Sequence, residues 1–273
     1  MGHHNRHFAG DPHSLTGAWS PPTSAANFCE EDYALTRYIA EFINTLTNFT
    51  YVFLALKYMY GPGSRGLLKP NYDFMSVSLL ILGICSFLYH ASLRQYLQFA
   101  DDLSMLLLGS SMLHGLLSVR QTPARIRRNA VLLAIVTAGF SAFYVRSGKI
   151  IYHVLAFATQ MAAIGLRSLY LFYWLDPSQK FPQDKIRDWK VRQWQSILIA
   201  LFGYLIWNID LEFCAELRTL RAQIGLPWAW LLELHGWWHV LTAIGADRFM
   251  KIVREMDAEE RLGKGKAVAK KAA

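Results

Sequence analysis

Two histidines in the sequence lie four positions apart, a spacing that places both side chains on one face of a helix. They are His235 and His239, within residues 234–240. Two imidazoles at this spacing can bind one metal ion, and His90 is the candidate third ligand. Three histidine ligands would leave the fourth position of a catalytic zinc site for water. The alternative is that these histidines are only hydrogen-bonded inside a helix bundle.

A serine and two adjacent aspartates could assist such a metal. Ser86 precedes His90 by four residues, so it could donate a hydrogen bond to an oxyanion, or else bond the carbonyl one turn back. Asp101 or Asp102 could hold the attacking water or move protons. Either could instead orient a metal ligand or act as a charge at a helix N-terminus. Successive helical residues point about 100° apart, so only one aspartate can face the metal.

Acidic side chains are concentrated before the first apolar block of the sequence. Asn27 is followed by Glu30, Glu31 and Asp32, and Glu41 lies near the start of that block. Several carboxylate oxygens in a short loop suit a hard cation such as calcium, although no EF-hand spacing is present. The alternative is a solvated loop, which Glu41 disfavours because a carboxylate within a membrane needs a partner.

Seven apolar blocks must position these residues. The chain has 273 residues and is 53% hydrophobic and 18% charged, below the roughly 25% charged residues of soluble domains. Each block approaches the roughly 20 residues that cross a bilayer, and none alternates as a barrel strand does. The sequence predicts an all-α integral membrane protein, a seven-transmembrane helix bundle. The predicted spans are 37–59, 73–92, 98–119, 128–145, 150–174, 193–211 and 227–250.

The placement of Lys and Arg predicts the orientation of the bundle. With seven spans, 20 basic residues fall on the side of the C-terminus and 7 on the side of the N-terminus. The basic side is cytosolic, so we expect a lumenal N-terminus and a cytosolic C-terminus. The predicted parts are a lumenal segment with the acidic loop (1–36), a seven-helix catalytic domain (37–250) and a basic cytosolic tail (251–273). The net charge of +8 is explained by this bias and not by a nucleic-acid site.

In this orientation the ionisable residues share one depth, near the lumenal face of the membrane. This clustering of residues from distant parts of the chain favours a functional site. Cys29 and Cys214 also fall on the oxidising lumenal side, which predicts a disulfide between them and leaves Cys85 free. The C-terminal Lys270 and Lys271 are placed like a dilysine retrieval signal, which predicts the endoplasmic reticulum, or the Golgi, as the location.

The motifs together resemble the alkaline ceramidase family, of the fungal type that cleaves phytoceramide or dihydroceramide. The matching stretches are Cys29-Glu-Glu-Asp-Tyr33, Tyr38-Ile-Ala-Glu-Phe42 with Asn44 and Asn48, Ser86-Phe-Leu-Tyr-His90, Gln98-Phe-Ala-Asp101-Asp-Leu-Ser-Met105, Trp207-Asn-Ile-Asp210 with Cys214, and Leu234-His-Gly-Trp-Trp-His239. The Ser-His-Asp-His-His skeleton by itself is shared with a wider superfamily that includes adiponectin receptors.

This resemblance implies an intramembrane zinc amidase that acts on ceramide entering from the lipid. The family's zinc ligands fall on His90, His235 and His239. Its serine and aspartate fall on Ser86 and Asp101, so the resemblance selects Asp101 over Asp102. It also implies that Asp101 takes up and returns protons while zinc and Ser86 stabilise the oxyanion.

The resemblance further implies a calcium site and the lumenal disulfide Cys29–Cys214. The calcium ligands would be Asn27, Phe28 through its backbone carbonyl, Glu30, Asp32 and Glu41. Asn27 stands where relatives can carry Asp, and Asp32 where they can carry Asn, so the formal charge of the set is unchanged.

Two other classes of protein fit parts of this pattern. A receptor on the same zinc skeleton would be similar to adiponectin receptors, which carry a large cytosolic N-terminal domain and the opposite orientation. A transporter would show internal repeats and broken helices at mid-bilayer. The short N-terminal segment and its predicted lumenal side favour the enzyme.

Overall fold

A computed structural model describes residues 11–175 and 181–272, with the side chains of 264–272 left out of that description. Its regular elements are helices, and no strand occurs within the described residues. The predicted all-helical fold is therefore confirmed. The helices are α1 (Phe42–Thr47), α2 (Phe49–Met59), α3 (Phe74–Ser92), α4 (Gln95–Ser118), α5 (Pro123–Ser147), α6 (Ile150–Tyr173), α7 (Gln183–Glu212), α8 (Cys214–Ile224) and α9 (Leu234–Ala272), with a 3₁₀ helix at Trp228–Leu232.

Four of these helices, namely α3, α5, α6 and α7, are long and apolar enough to cross a membrane. Helix α5 exposes apolar side chains of the kind that lipid would cover, among them Ile135 at 63% and Val136 at 67%. A multi-pass membrane protein follows from these features. The count of seven spans and the orientation of the termini stay predictions.

Local sequence explains where two of the candidate spans begin and end. Asp73 precedes α3, and its carboxylate accepts a hydrogen bond of 2.6 Å from the backbone N–H of Ser76, as a capping box requires. Pro123 occupies the first turn of α5, where its missing N–H costs nothing. Gly148 ends α5 with a φ of 65°, a left-handed conformation that glycine adopts without strain.

The first predicted span is wrong at its start, because residues 37–41 are not helical. The backbone N–H groups of Ala40 and Glu41 donate to the carbonyls of Ala91 and His90 at 2.9 and 3.0 Å. This pairing holds Glu41 in an extended conformation as the residue before α1. The short α1 and α2 then follow, separated at Asn48. Glu41 is therefore tied to the end of α3 and does not lie in a helical turn.

The last predicted span also differs at both of its ends. The 3₁₀ helix occupies its first residues, and α9 begins only at Leu234. Helix α9 continues without a break through residue 250, so the backbone of the predicted tail is helical to Ala272. The connection before this span, expected to be a loop, contains α8. The side chains of Lys270 and Lys271 lie outside the described part, and the retrieval signal stays a prediction.

The chain divides into two compact units. The first is formed by Met1–Met105 and Leu198–Gly245, and the second by Leu106–Ile197 and Ala246–Ala273. All the predicted metal ligands, Ser86, Asp101 and both disulfide cysteines belong to the first unit. In the second unit, Glu255 of α9 contacts two residues of α7. It forms an ion pair with Arg192 and accepts a hydrogen bond of 2.8 Å from the indole N–H of Trp189.

Candidate active site

Three buried histidines converge in the first unit. His90 lies near the end of α3, and His235 and His239 lie in the first two turns of α9. One ring nitrogen from each lies within 4.8 Å of those of the other two. Three imidazole nitrogens this close can bind one metal ion, as the sequence predicted from spacing.

Neighbouring side chains orient two of these imidazoles. A Glu41 carboxylate oxygen lies 2.5 Å from Nδ1 of His90, and the Thr47 hydroxyl lies 3.0 Å from Nδ1 of His239. Both rings therefore keep Nε2 for an ion. Metal-binding histidines in proteins commonly bond a carboxylate or another oxygen through the second ring nitrogen. The donor set thus fits a metal of the type that accepts neutral imidazole, zinc among them.

Aromatic rings pack against the third imidazole. The ring of Phe28 stacks on that of His235, with centroids 3.7 Å apart and an angle of 18°. The indole of Trp207 lies 5.7 Å from the same imidazole. These rings keep bulk water from the three histidines on that side, which strengthens the electrostatic interactions there.

The two adjacent aspartates make different contacts, although both are buried. Asp101 is hydrogen-bonded to the side chain of Ser86. Asp102 accepts a hydrogen bond of 3.4 Å from the amide of Gln98, whose own oxygen accepts from the backbone N–H of Ala25 at 2.8 Å. Asp102 therefore belongs to a link that holds the N-terminal segment, and Asp101 belongs with Ser86.

The predicted calcium ligands are brought together around the start of α1. Both carboxylate oxygens of Glu30 accept backbone hydrogen bonds, from Ile43 at 2.7 Å and Asn44 at 2.8 Å. Glu30 thus supplies acceptors to N–H groups that the first helical turn cannot satisfy itself. The Phe28 backbone N–H donates to Glu41 at 3.1 Å, which connects the acidic loop to the residue that orients His90.

Asn27 presents its amide group to the acidic loop in an orientation that the sequence does not predict. Its Nδ2 donates to Asp32 at 3.2 Å, and its Oδ1 accepts from the Phe28 backbone N–H at 2.8 Å. To serve as a cation ligand, the Asn27 side chain would need to turn its oxygen toward the carboxylates.

Burial disfavours the charged forms of the carboxyl groups in the acidic loop. The pKa of Asp32 is raised to about 8, first by burial and then by the nearby carboxylates of Glu41 and Asp11. The pKa of Glu30 is also raised well above its ordinary value, chiefly by burial and by Glu233. A cation at this place would favour the charged forms of both carboxyl groups.

The acidic loop is less closely gathered than the histidines. Among the side chains that the structure describes, the three histidines, with ligand atoms within 4.8 Å of each other, are the one group of three or more His, Cys, Asp or Glu residues placed to hold a metal ion. The predicted calcium site therefore stays a prediction, with buried carboxylates as its basis.

The predicted disulfide between Cys29 and Cys214 is present, with their Cα atoms 5.4 Å apart. Cys85 is free, as expected. Arg218 in α8 donates to the Cys29 carbonyl at 2.9 Å and forms an ion pair of 2.7 Å with Asp11. The acidic loop is thus attached to α8 by a covalent bond and by an arginine.

Sequence reasoning missed several groups around the site. They are Asp11, Thr47, Arg218, Arg221 and Glu233. Asp210 was named in the stretch Trp207-Asn-Ile-Asp210 without a role, although an ionisable residue within an apolar block marks function. Thr47 gave no signal, because a threonine in a membrane helix usually bonds its own backbone, as Thr47 also does.

The fold and the site define a class: a helical protein with candidate membrane spans and a buried three-histidine centre suited to a hydrolytic metal. A sequence model of the family described as Ceramidase matches residues 20–270. The chain therefore belongs to the alkaline ceramidase family.

The chain is similar to curated alkaline ceramidases over most of its length. Alkaline ceramidase 3 of Mus musculus is 27% identical over 234 residues, which cover 84% of this chain and 82% of that protein. Alkaline ceramidase YPC1 of Saccharomyces cerevisiae is 27% identical over 247 residues, with 85% and 76% covered. A shorter match of 91 residues, 36% identical, joins it to an alkaline ceramidase of Arabidopsis thaliana, covering 33% and 35%.

Proposed function

We propose that the protein is a zinc-dependent, calcium-stimulated ceramidase of the endoplasmic reticulum membrane. It hydrolyses the amide bond of ceramide, with phytoceramide or dihydroceramide preferred, to a sphingoid base and a free fatty acid. The observation that carries this proposal is the cluster of buried imidazoles of His90, His235 and His239 within 4.8 Å in a chain of the ceramidase family. Family membership favours this function over the receptor considered above.

The three histidines would hold the zinc ion, His90 and His239 through Nε2 because Glu41 and Thr47 contact their Nδ1 atoms. A zinc ion there would supply Lewis-acid polarisation of the amide carbonyl and would lower the pKa of water. The protein's own part is to keep the imidazoles neutral and oriented and to exclude bulk water with Phe28.

Asp101 is the proposed proton carrier of the reaction. Its carboxylate would accept a proton from the attacking water and return it to the amide nitrogen as the carbon–nitrogen bond breaks. The attacking water is thereby divided between the two products. Its hydroxyl group becomes part of the fatty acid, and its proton becomes part of the amine of the sphingoid base. Burial of Asp101 keeps other water from competing for this proton.

Ser86 is proposed to stabilise the oxyanion that develops on the carbonyl. Its side chain is hydrogen-bonded to Asp101, and a serine hydroxyl has a single proton to donate. Protonation of Asp101 during the attack would free this hydroxyl to donate to the oxyanion, because a protonated carboxyl group is itself a donor. The two side chains would therefore act in sequence.

Calcium is proposed to bind among Asn27, the Phe28 carbonyl, Glu30, Asp32 and Glu41. The basis is three buried carboxylates, of Glu30 and Asp32 in the acidic loop and of Glu41 before α1, with oxygen ligands of the type that calcium takes. Glu41 connects the two metal sites, because one of its oxygens accepts from the Phe28 backbone N–H and the other contacts His90. Calcium would stimulate hydrolysis by fixing this carboxylate and through it the imidazole.

Hydrolysis by the purified full chain in lipid nanodiscs tests the proposal. Phytoceramide, dihydroceramide and unsaturated ceramide are supplied separately, and released sphingoid base is measured by mass spectrometry. We expect chelation of zinc to abolish release and chelation of calcium to reduce it. If none of the three lipids is hydrolysed, the proposed reaction is refuted.

A matched pair of histidine variants tests the metal assignment. His235→Ala removes a proposed ligand, and we expect activity to fall more than about a hundredfold, beyond the loss for an outer partner of a ligand. His114→Ala removes a histidine of α4 that is not one of the three proposed ligands. We expect this variant to stay active. Full activity in folded His235→Ala protein would refute the zinc assignment.

A further inference from the structure

Asp210 is a buried carboxylate near the C-terminal end of α7 that has no role in the mechanism above. Its Oδ1 accepts a hydrogen bond of 3.2 Å from the backbone N–H of Leu234. Leu234 is the first residue of α9 and directly precedes His235. A side chain from α7 thus contacts the turn of α9 that carries two of the three histidines.

This hydrogen bond occupies a donor that the helix cannot satisfy by itself. The first N–H groups of any α-helix have no partner within the helix. A carboxylate at that end is further favoured by the helix dipole. Because His235 and His239 lie on the first two turns, a shift or fraying at Leu234 would move His235 first and loosen the metal-binding face.

Asp210 also connects α9 to the acidic loop. Its carboxylate interacts with the Arg221 guanidinium of α8 and with the backbone N–H of Cys29. Arg221 in turn donates to the Cys29 carbonyl at 3.1 Å and pairs with Glu233, the residue before α9. One carboxylate therefore lies among the loop of Cys29, α8 and the start of the histidine helix.

We propose that Asp210 is a positioning residue of the metal centre, which fixes the first turn of α9 and so holds His235 and His239 in place for the ion. In this role it acts through the backbone of α9 and not by direct contact with the ion. The inference rests on the proposed function, since it takes zinc to be the ion that these histidines bind.

The test compares Asp210→Ala with Asp210→Asn in the purified full chain. Zinc affinity of the metal-depleted protein is measured by competition with a chromogenic chelator, and kcat and KM are measured on phytoceramide. We expect Asp210→Ala to weaken zinc binding about 10–100-fold, as loss of other outer partners does. The value of kcat should fall while KM changes little, because the substitution acts through the position of the metal-binding histidines.

Asp210→Asn is the conservative variant, because its amide oxygen can still accept from the Leu234 N–H. We expect its zinc affinity to stay near that of the wild type. A loss in Asp210→Asn as large as in Asp210→Ala would overturn the proposed hydrogen-bond role. If Asp210→Ala does not fold, Asp210→Leu, which is close in size and has no acceptor oxygen, takes its place. Unchanged zinc affinity in folded Asp210→Leu would also overturn the proposal.

Asp73→Ala is the matched control. It removes the same side chain from the N-terminus of α3, at the opposite end of that helix from His90. We expect it to lower the thermal midpoint and leave the zinc affinity unchanged. If Asp210→Ala behaves in the same way, Asp210 is only a structural cap and the proposal is overturned.

The two proposals can fail separately. Wild-type protein that binds zinc but hydrolyses no ceramide would refute the proposed reaction, while weaker zinc binding by Asp210→Ala would still uphold the positioning role. Wild-type protein that binds no zinc would overturn both.

Discussion

At the scale of single residues, neighbouring side chains of the same type have different contacts. Asp101 and Asp102 are adjacent and both buried, yet one is bonded to Ser86 and the other to Gln98. The helix turns by about 100° between them, so they meet different neighbours. Their chemistry is therefore expected to differ, although their adjacent positions in the sequence do not by themselves distinguish them.

Exchange of each aspartate for asparagine measures this difference. We expect Asp101→Asn to lower kcat about 10²–10⁴-fold, the usual contribution of a general acid–base. Asp102→Asn keeps an acceptor for Gln98 and should lower kcat by much less. Rates of sphingoid base release from phytoceramide give both values. Equal losses would contradict the assignment of the proton carrier to Asp101.

Glu41 offers a second prediction at this scale, because its carboxylate contacts Nδ1 of His90. Glu41→Gln keeps the size of the side chain and removes its charge. We expect zinc affinity to fall about 10–100-fold, as measured by chelator competition in the absence of calcium. Glu31→Gln, an exposed neighbour in the acidic loop, is the control and should have no effect. Unaltered zinc affinity in Glu41→Gln would contradict its role in orienting His90.

The three clustered histidines could be predicted from sequence, but the partners of their rings could not. His235 and His239 share a helical spacing, and the depth of His90 follows from the order of the apolar blocks. The contact of Glu41 with His90 depends on backbone pairing of residues 40–41 with 90–91. No periodicity signals such pairing, because it joins the non-helical residues 40–41 to the last turn of α3.

At the scale of elements, two carboxylates from distant parts of the chain satisfy the N-termini of helices next to the site. Glu30 accepts from the first turn of α1, and Asp210 accepts from the first residue of α9. Hydropathy indicated both helices but misplaced their starts, because capping by a distant side chain leaves no local sequence mark. The start of a site-bearing helix is therefore set by tertiary contacts.

The disulfide between the acidic loop and α8 can be tested at this scale. Cys214→Ser removes a covalent link across 185 residues of sequence, and we expect it to lower stability by about 2–4 kcal/mol. Thermal unfolding in lipid nanodiscs gives the difference, and non-reducing mass mapping gives the pairing. Cys85→Ser changes the free cysteine and should leave both readouts as in the wild type. Equal stability of the two variants would argue against a structural role for the bond.

At the scale of the whole molecule, two helices that carry site residues, α4 and α9, fall short of a membrane span by composition, whereas α3, which carries Ser86 and His90, does not. Within the described residues four helices qualify, α3 among them. Helix α4 carries Asp101 and Asp102, and α9 carries two of the histidines before it continues into a charged segment. Helices α1 and α2 are short because they are separated at Asn48. The polar residues of α4 and α9 thus lower the mean hydropathy by which a membrane span is recognised.

The membrane faces on which the two termini lie distinguish seven spans from four. An odd number of spans, such as the predicted seven, puts the termini on opposite faces, whereas four spans would put both on one face. The excess of Lys and Arg on one side predicts that the N-terminus is lumenal.

A glycosylation tag with a flexible spacer, added to either terminus of the full chain and expressed in eukaryotic cells, reports the side by an endoglycosidase-sensitive mass shift. We expect the N-terminal tag to be modified and the C-terminal tag to stay unmodified. Modification of both tags, or of neither, would require an even number of spans and would contradict the seven-helix topology. Modification of the C-terminal tag alone would keep an odd number but reverse the orientation, moving the acidic loop and the three histidines toward the cytosolic face.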